Sequence, residues 1–234
     1  MTNPKSAFWT GFRDGAPFIL VVAPFGLLFG VVATEAGLNL IETMSMTFLV
    51  IAGASQFTAL ALLQQEAPVF IVLLTALAVN LRMAMYSAAL VPHLGAAPLK
   101  IRTFLAYCMV DQAFAISFKK YEEMPGMTLE QKVAYYFGAI APIVPLWYGF
   151  SFLGAYAGAA IPPEFSLDFA LPICFIALTA PMLRSFPHLV TALVSVILAL
   201  ALAWVPYSLG LIIAAIIAMI VGAETERRME ARTP

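Results

Sequence analysis

The sequence predicts an all-α fold: a polytopic bundle of transmembrane helices. Three observations predict it. The chain of 234 residues is 62% hydrophobic and only 11% charged, against roughly 45–50% and about 25% in a soluble domain. Its mean hydropathy is +0.94, too apolar for a water-soluble surface. Several apolar runs reach the roughly 18 residues that mark a membrane-spanning helix, and prolines and glycines fall inside these runs, so the helices are expected to be broken or kinked. Residues 1–234 read as one transmembrane domain of about eight segments.

The start, from Asn3-Pro4-Lys5 through Trp9 to Asp14, reads as an interfacial lead-in, since an indole suits the headgroup level. Segment one, 16–36, carries Pro17, Pro24, Gly26 and Gly30. Gly26 and Gly30 have the spacing that lets two helix backbones approach. Pro24 removes a backbone bond, so the segment is either a kinked packing helix or a discontinuous one whose freed backbone faces a ligand. Segment two, 43–63, holds Ser55 and Gln56 behind the small residues Ala52, Gly53 and Ala54. Pro68 suits the opening of segment three, 68–91, which contains Asn80, Arg82 and Tyr86.

Segment four, 103–118, is short for a roughly 30 Å core. It can still span if Arg102, Lys119 and Lys120 extend to the interfaces. Asp111 lies near its middle, with Tyr107 one turn before. Segment five, 133–157, repeats the proline and glycine pattern of segment one, a hint of an internal repeat. Segment six covers 167–183. The last run is too long for one span and reads as a hairpin of 189–205 and 206–222.

Eight spans with a cytoplasmic N-terminus place nine of the twelve basic residues inside and two, Lys100 and Arg102, outside, with Arg82 within the membrane. That bias predicts both termini in the cytoplasm. A re-entrant hairpin among the first three segments would move the Lys100–Arg102 loop to the other side.

Arg82 is the costliest residue, since insertion of arginine at a helix centre costs about 2.5–3.5 kcal/mol. Either its guanidinium holds a substrate carboxylate through paired hydrogen bonds, or it is fixed in an ion pair with Asp111, the only deep acid. Asn80 and Arg82 are about 200° apart on a regular helix, so both face one ligand only if the helix unwinds. On a regular helix, Asn80 makes the direct contact while Arg82 and Tyr86 serve the scaffold. Asp111 is suited to a substrate ammonium, a proton or Arg82. Ser55 and Gln56 either bond between helices or line a site that the small residues leave open.

Other classes find no support. Net charge −1 gives no basic surface for nucleic acid. Cys108 and Cys174 have no partners at metal-site spacing, and catalytic templates are missing. The expectation is therefore a non-enzyme with no metal and no cofactor. The uncleaved first run reads as a retained helix.

Phe48 with Ala52-Gly-Ala-Ser-Gln-Phe57, then Asn80-Leu-Arg82 with Tyr86, then Asp111 with Phe114-Ala115, together resemble the AzlC family of branched-chain amino-acid permeases. Pro24-Phe-Gly26 and Leu167-Asp-Phe-Ala-Leu-Pro172 are similar to the same family. Met83 stands where a His is expected and Gln112 where a Glu is common, so no mechanism is carried over through those groups. The resemblance implies a secondary transporter subunit that exports leucine, isoleucine, valine or related hydrophobic amino acids across the bacterial inner membrane. It also implies a small AzlD-type membrane partner and leaves self-association open. The substrate site expected from the residues themselves draws on Ser55, Gln56, Asn80, Arg82, Tyr86, Tyr107 and Asp111, with backbone from Pro24, Gly26, Gly30 and Gly53. A membrane scaffold and a channel-like pore are the rival readings.

Overall fold

The computed structural model describes residues 3–158, 183, 185–205 and 209–231. Segment six, apart from Leu183, lies outside these residues, as do the motif Leu167–Pro172, Cys174, Arg184 and Pro206. The described residues are helical, with no strand among them. They fall into two compact units, one within Met1–Ala61 and Ala76–Leu167, the other within Leu62–Thr75 and Asp168–Pro234.

In the first unit, α1 (Pro4–Gly15) runs through a single 3-10 turn at Ala16–Phe18 into α2 (Ile19–Glu35). Asn3 caps the start, its side chain accepting from the Ser6 N–H, and Pro4 follows where a missing N–H costs nothing. α8 (Leu129–Ile140) and α9 (Val144–Gly158) repeat this plan, opened by a Thr128–Gln131 capping box. The two rods pack side by side. Gly11 and Gly15 abut Tyr135 and Ala139, while Gly26 and Gly30 abut Trp147 and Ser151. Matched numbers rise together, so the rods are parallel. A Cβ at Gly30 would collide with the Ser151 carbonyl oxygen, which is why the seam needs glycine. α2 stays helical through Pro24.

Segments two and four are each two helices. α3 (Leu40–Leu49), started by an Asn39–Glu42 capping box, stops at Val50, whose backbone is extended, and α4 (Gly53–Gln64) begins after Ala52. Gln56 Nε2 donates to Thr47 Oγ1 at 3.1 Å. On a straight path those residues would lie about 14 Å apart at 1.5 Å per residue, or more through the extended break, beyond the reach of the two side chains. The chain therefore reverses at 50–52. Gly53 lies against Phe25, and Phe57, one turn on, against both Phe25 and Phe29. α4 thus climbs back toward the Glu35 end of α2, where α3 began.

α5 (Val69–Leu94) is an unbroken helix of 26 residues, about 39 Å long. After four residues α6 (Leu99–Tyr107) turns back along it, bringing Met109 to Ser87. The chain breaks at 108–110, and α7 (Asp111–Glu123) returns parallel to α5. Asp111 meets Arg82, Phe114 meets Tyr86, Phe118 meets His93, and Glu122 meets His93. Both ends of this second hairpin therefore lie at the His93 end of α5.

This corrects the expected sidedness. His93 is 3.1 Å from Glu122 and 3.3 Å from Lys132, so Lys100 and Arg102, in the first turn of α6, share a face with the 124–128 loop. The physical reason is that α6 and α7 each have too few residues to cross, and the charged ends Arg102, Lys119 and Lys120 stay at one interface. Among the described residues three rods are long and apolar enough to cross a membrane: Pro4–Glu35, Val69–Leu94 and Leu129–Gly158. The two hairpins enter from opposite faces and turn back.

The second unit contains α10 (Phe186–Ala201), capped by Ser185, and α11 (Leu209–Glu230). Gly222 meets Thr191 and Gly210 meets Leu202, so the pair is antiparallel. Beyond its apolar part, hydrogen bonds from Arg228 and Arg227 hold the Glu224 carboxyl below the usual carboxylate range.

Candidate functional site

Turning a helix back inside a bilayer exposes backbone groups that lipid cannot satisfy. At the first tip, α3 ends in free carbonyls and α4 starts with free N–H groups. The Tyr107 hydroxyl, at the end of α6, donates to the Phe48 carbonyl oxygen at 2.6 Å. Tyr107 and Tyr148 hydroxyls are 2.8 Å apart. A hydroxyl has one proton, so Tyr148 is the donor in that second bond. The two tips thus join directly, the second hairpin capping the first. At the second tip, the Tyr136 hydroxyl donates to the Leu105 carbonyl at 3.3 Å.

Around the first tip the walls are aromatic. Phe25, Phe29, Phe57 and Trp147 pack with ring centroids 4.7–6.0 Å apart. A Cβ at Gly53 would meet Phe25 at 2.8 Å and Trp147 at 3.1 Å, which explains the small residue at this turn. Ser55 donates back to the Ala52 carbonyl at 3.1 Å. Gln56 is buried, with Oε1 lacking a partner among the described residues. Thr43 and Thr47, one turn apart on α3, are fully buried.

The second tip is charged. Arg82 Nη2 and Asp111 Oδ2 are 3.2 Å apart, with about a third of each side chain exposed. Tyr86, one turn after Arg82, stacks on Phe114 with centroids 4.1 Å apart and planes 10° apart. Asp111 opens α7, where the positive end of the helix dipole favours a carboxylate. The pair leaves Arg82 Nε and Asp111 Oδ1 without partners among the described residues.

The structure therefore gathers Arg82, Tyr86 and Asp111 at one tip, Ser55, Gln56 and Gly53 at the other, and Tyr107 between them. Asn80 is half-buried on the regular part of α5, its Oδ1 unpartnered among the described residues. The regular helix puts it on a different face from Arg82. Gly26 and Gly30 serve the α2–α9 seam, whereas Pro24 is an exposed position inside the unbroken α2. Sequence reasoning passed over Thr43, Thr47, Ser151 and Tyr148. The i,i+4 threonine pair in an apolar helix was the available signal.

Among the described residues, broken helices face each other beside three rods long and apolar enough to cross a membrane. That is the make-up of an integral membrane protein and is shared with the transport class. Residues 17–161, which include both hairpins, match the AzlC family, and the chain belongs to that family. It is similar to the inner membrane protein YgaZ of Escherichia coli, 28% identical over 218 residues, covering 86% of this chain and 83% of that one. A membrane protein of Archaeoglobus fulgidus is 28% identical over 190 residues, with 77% and 78% covered. One from Helicobacter pylori is 24% identical over 165 residues, with 69% and 68% covered. No solved structure matches this chain.

Proposed function

We propose that this chain is the large subunit of a secondary transporter exporting branched-chain or other hydrophobic amino acids across a bacterial inner membrane. It works with a small AzlD-type subunit. The observation that carries the reading is the Arg82–Asp111 pair at the second tip, each member keeping one buried polar atom without a partner among the described residues.

A free amino acid carries a carboxylate and an ammonium on neighbouring atoms. Inserted between Arg82 and Asp111, it replaces one ion pair with two: its carboxylate on the guanidinium, its ammonium on the Asp111 carboxylate. Charge stays balanced throughout, so no bare ion is left in a low-dielectric site. The aromatic faces of Tyr86 and Phe114 beside the pair suit an aliphatic side chain. Ser55, Gln56 and Asn80 supply further hydrogen bonds along the path. The hairpins serve as gates, α3–α4 from one face and α6–α7 from the other, in keeping with alternating access around a midplane site. The basic residues Lys5, Lys100, Arg102, Lys119, Lys120 and Lys132 on the N-terminal face support its cytoplasmic assignment.

The test is reconstitution with the small subunit in liposomes and measurement of labelled leucine flux. Saturable flux, falling more than tenfold in both Arg82→Gln and Asp111→Asn, is expected. Non-saturating flux would favour a pore, and wild-type flux in both variants would remove the pair from the site.

A further inference from the structure

The cleft between α5 and α6 lies apart from the Arg82–Asp111 pair. It is about 210 Å³ in volume and is lined by Leu90, Val91, Leu94, Leu105 and Met109, with Arg102 at its edge. We infer that this cleft holds one acyl chain of an anionic phospholipid, with the lipid phosphate on Arg102.

Depth supports this assignment. Arg102 sits three residues into α6, at the same end as His93 and Lys132. Met109 lies about 10 Å deeper, seven residues on at roughly 1.5 Å each. The cleft thus runs from the headgroup level down toward the tip of the second hairpin, as a lipid tail does. Its rim is apolar as well: Val91 is 61% exposed and Ala106, which also lines the cleft, is exposed. A mouth of that kind faces hydrocarbon, not water.

Charge narrows the ligand. Among the described residues no carboxylate lines the cleft, and its only cation is Arg102. The hydroxyls of Tyr136 and Ser87 are already directed at the Leu105 carbonyl and the Met109 sulfur. A zwitterionic amino acid would find a partner for its carboxylate and none for its ammonium. A phosphodiester with a net negative charge needs only the cation, and basic pockets between transmembrane helices are a recurring form of lipid headgroup site. The volume, below the roughly 300–1,000 Å³ of a typical ligand pocket, suits the headgroup-proximal part of one chain.

The consequence is a lipid wedge against the second hairpin, seated between α6 and the part of α5 that the hairpin folds along. It is independent of what the protein transports. The test uses the full chain purified in a neutral detergent, with thermal unfolding followed as phosphatidylglycerol, phosphatidylcholine, inorganic phosphate or leucine is added. Phosphatidylglycerol is expected to raise the melting temperature saturably by several degrees, as a ligand of the folded state does, and the other three are not. Arg102→Gln and Ala106→Trp, which fills the cleft, are each expected to abolish that shift, and Arg102→Lys to retain part of it. An unchanged shift in both Arg102→Gln and Ala106→Trp overturns the inference, as does an equal shift from phosphatidylcholine, phosphate or leucine. Should Arg102→Gln fail to fold, Ala106→Trp alone decides.

Discussion

The first hairpin is closed by a neutral bond, Gln56 to Thr47 at 3.1 Å, inside an aromatic wall. The second is pinned to α5 by charge at its tip, Arg82 to Asp111, and by the contact of His93 with Glu122 at its base. The difference lies in what each can lose. Removing one partner of a neutral bond costs at most an unsatisfied dipole, about 1–3 kcal/mol. Removing one partner of an ion pair within the membrane strands a charge, at a cost nearer 3–5 kcal/mol when it is buried.

Five substitutions sharpen that contrast. The largest effect is expected from Asp111→Leu, which leaves Arg82 alone within the membrane. The melting temperature in detergent should fall by about 10 °C, taking roughly 3 kcal/mol and about 2–4 °C per kcal/mol for a chain of this size. Adding Arg82→Leu should restore most of the melting temperature but not leucine flux, since an apolar pair of similar volume is tolerated where a lone charge is not. Next comes Tyr107→Phe, which takes the hydroxyl from the Phe48 carbonyl and uncouples the tips. A loss of about 1 kcal/mol, or about 2–4 °C, is expected. Gln56→Leu removes a buried amide whose Oε1 has no partner among the described residues. Its melting temperature should move by less than that of Tyr107→Phe while flux falls. If it melted as early as Asp111→Leu, the contrast between the hairpins would be lost. Smallest is Glu122→Gln, whose carboxylate is mostly exposed. A surface pair of this kind is worth about 0–1 kcal/mol, so the melting curve should barely move.

Much of this was legible in sequence. Composition alone required a membrane bundle, and there being one deep acid made Asp111 the partner in one of the two readings of Arg82. Gly26 and Gly30 announced a close seam, though not its partner, because a helix-packing motif names one side only. The likeness of segments one and five is realised as a parallel pair of rods. A re-entrant hairpin among the first three segments was open from the sequence, but the places of the two breaks were not legible. Nothing in the run from Val50 to Ala52 is a helix breaker: the break there uses β-branched and small residues, and it is the tertiary bond from Gln56 to Thr47 that closes the reversal. For the second hairpin the clue was length, since 103–118 is short for a span, but interfacial lysines offered an equally good account of that shortness.

The most direct test concerns the fold of the second hairpin. In a background lacking Cys108 and Cys174, a cysteine at Ala96, in the loop between α5 and α6, and another at Pro125, between α7 and α8, would be labelled with a membrane-impermeant maleimide. Right-side-out and inverted vesicles report which face each occupies. Both positions are expected to label from the same face, that of the N-terminus. Labelling from opposite faces would mean that residues 99–123 cross the membrane, and the opposed-hairpin architecture would be wrong.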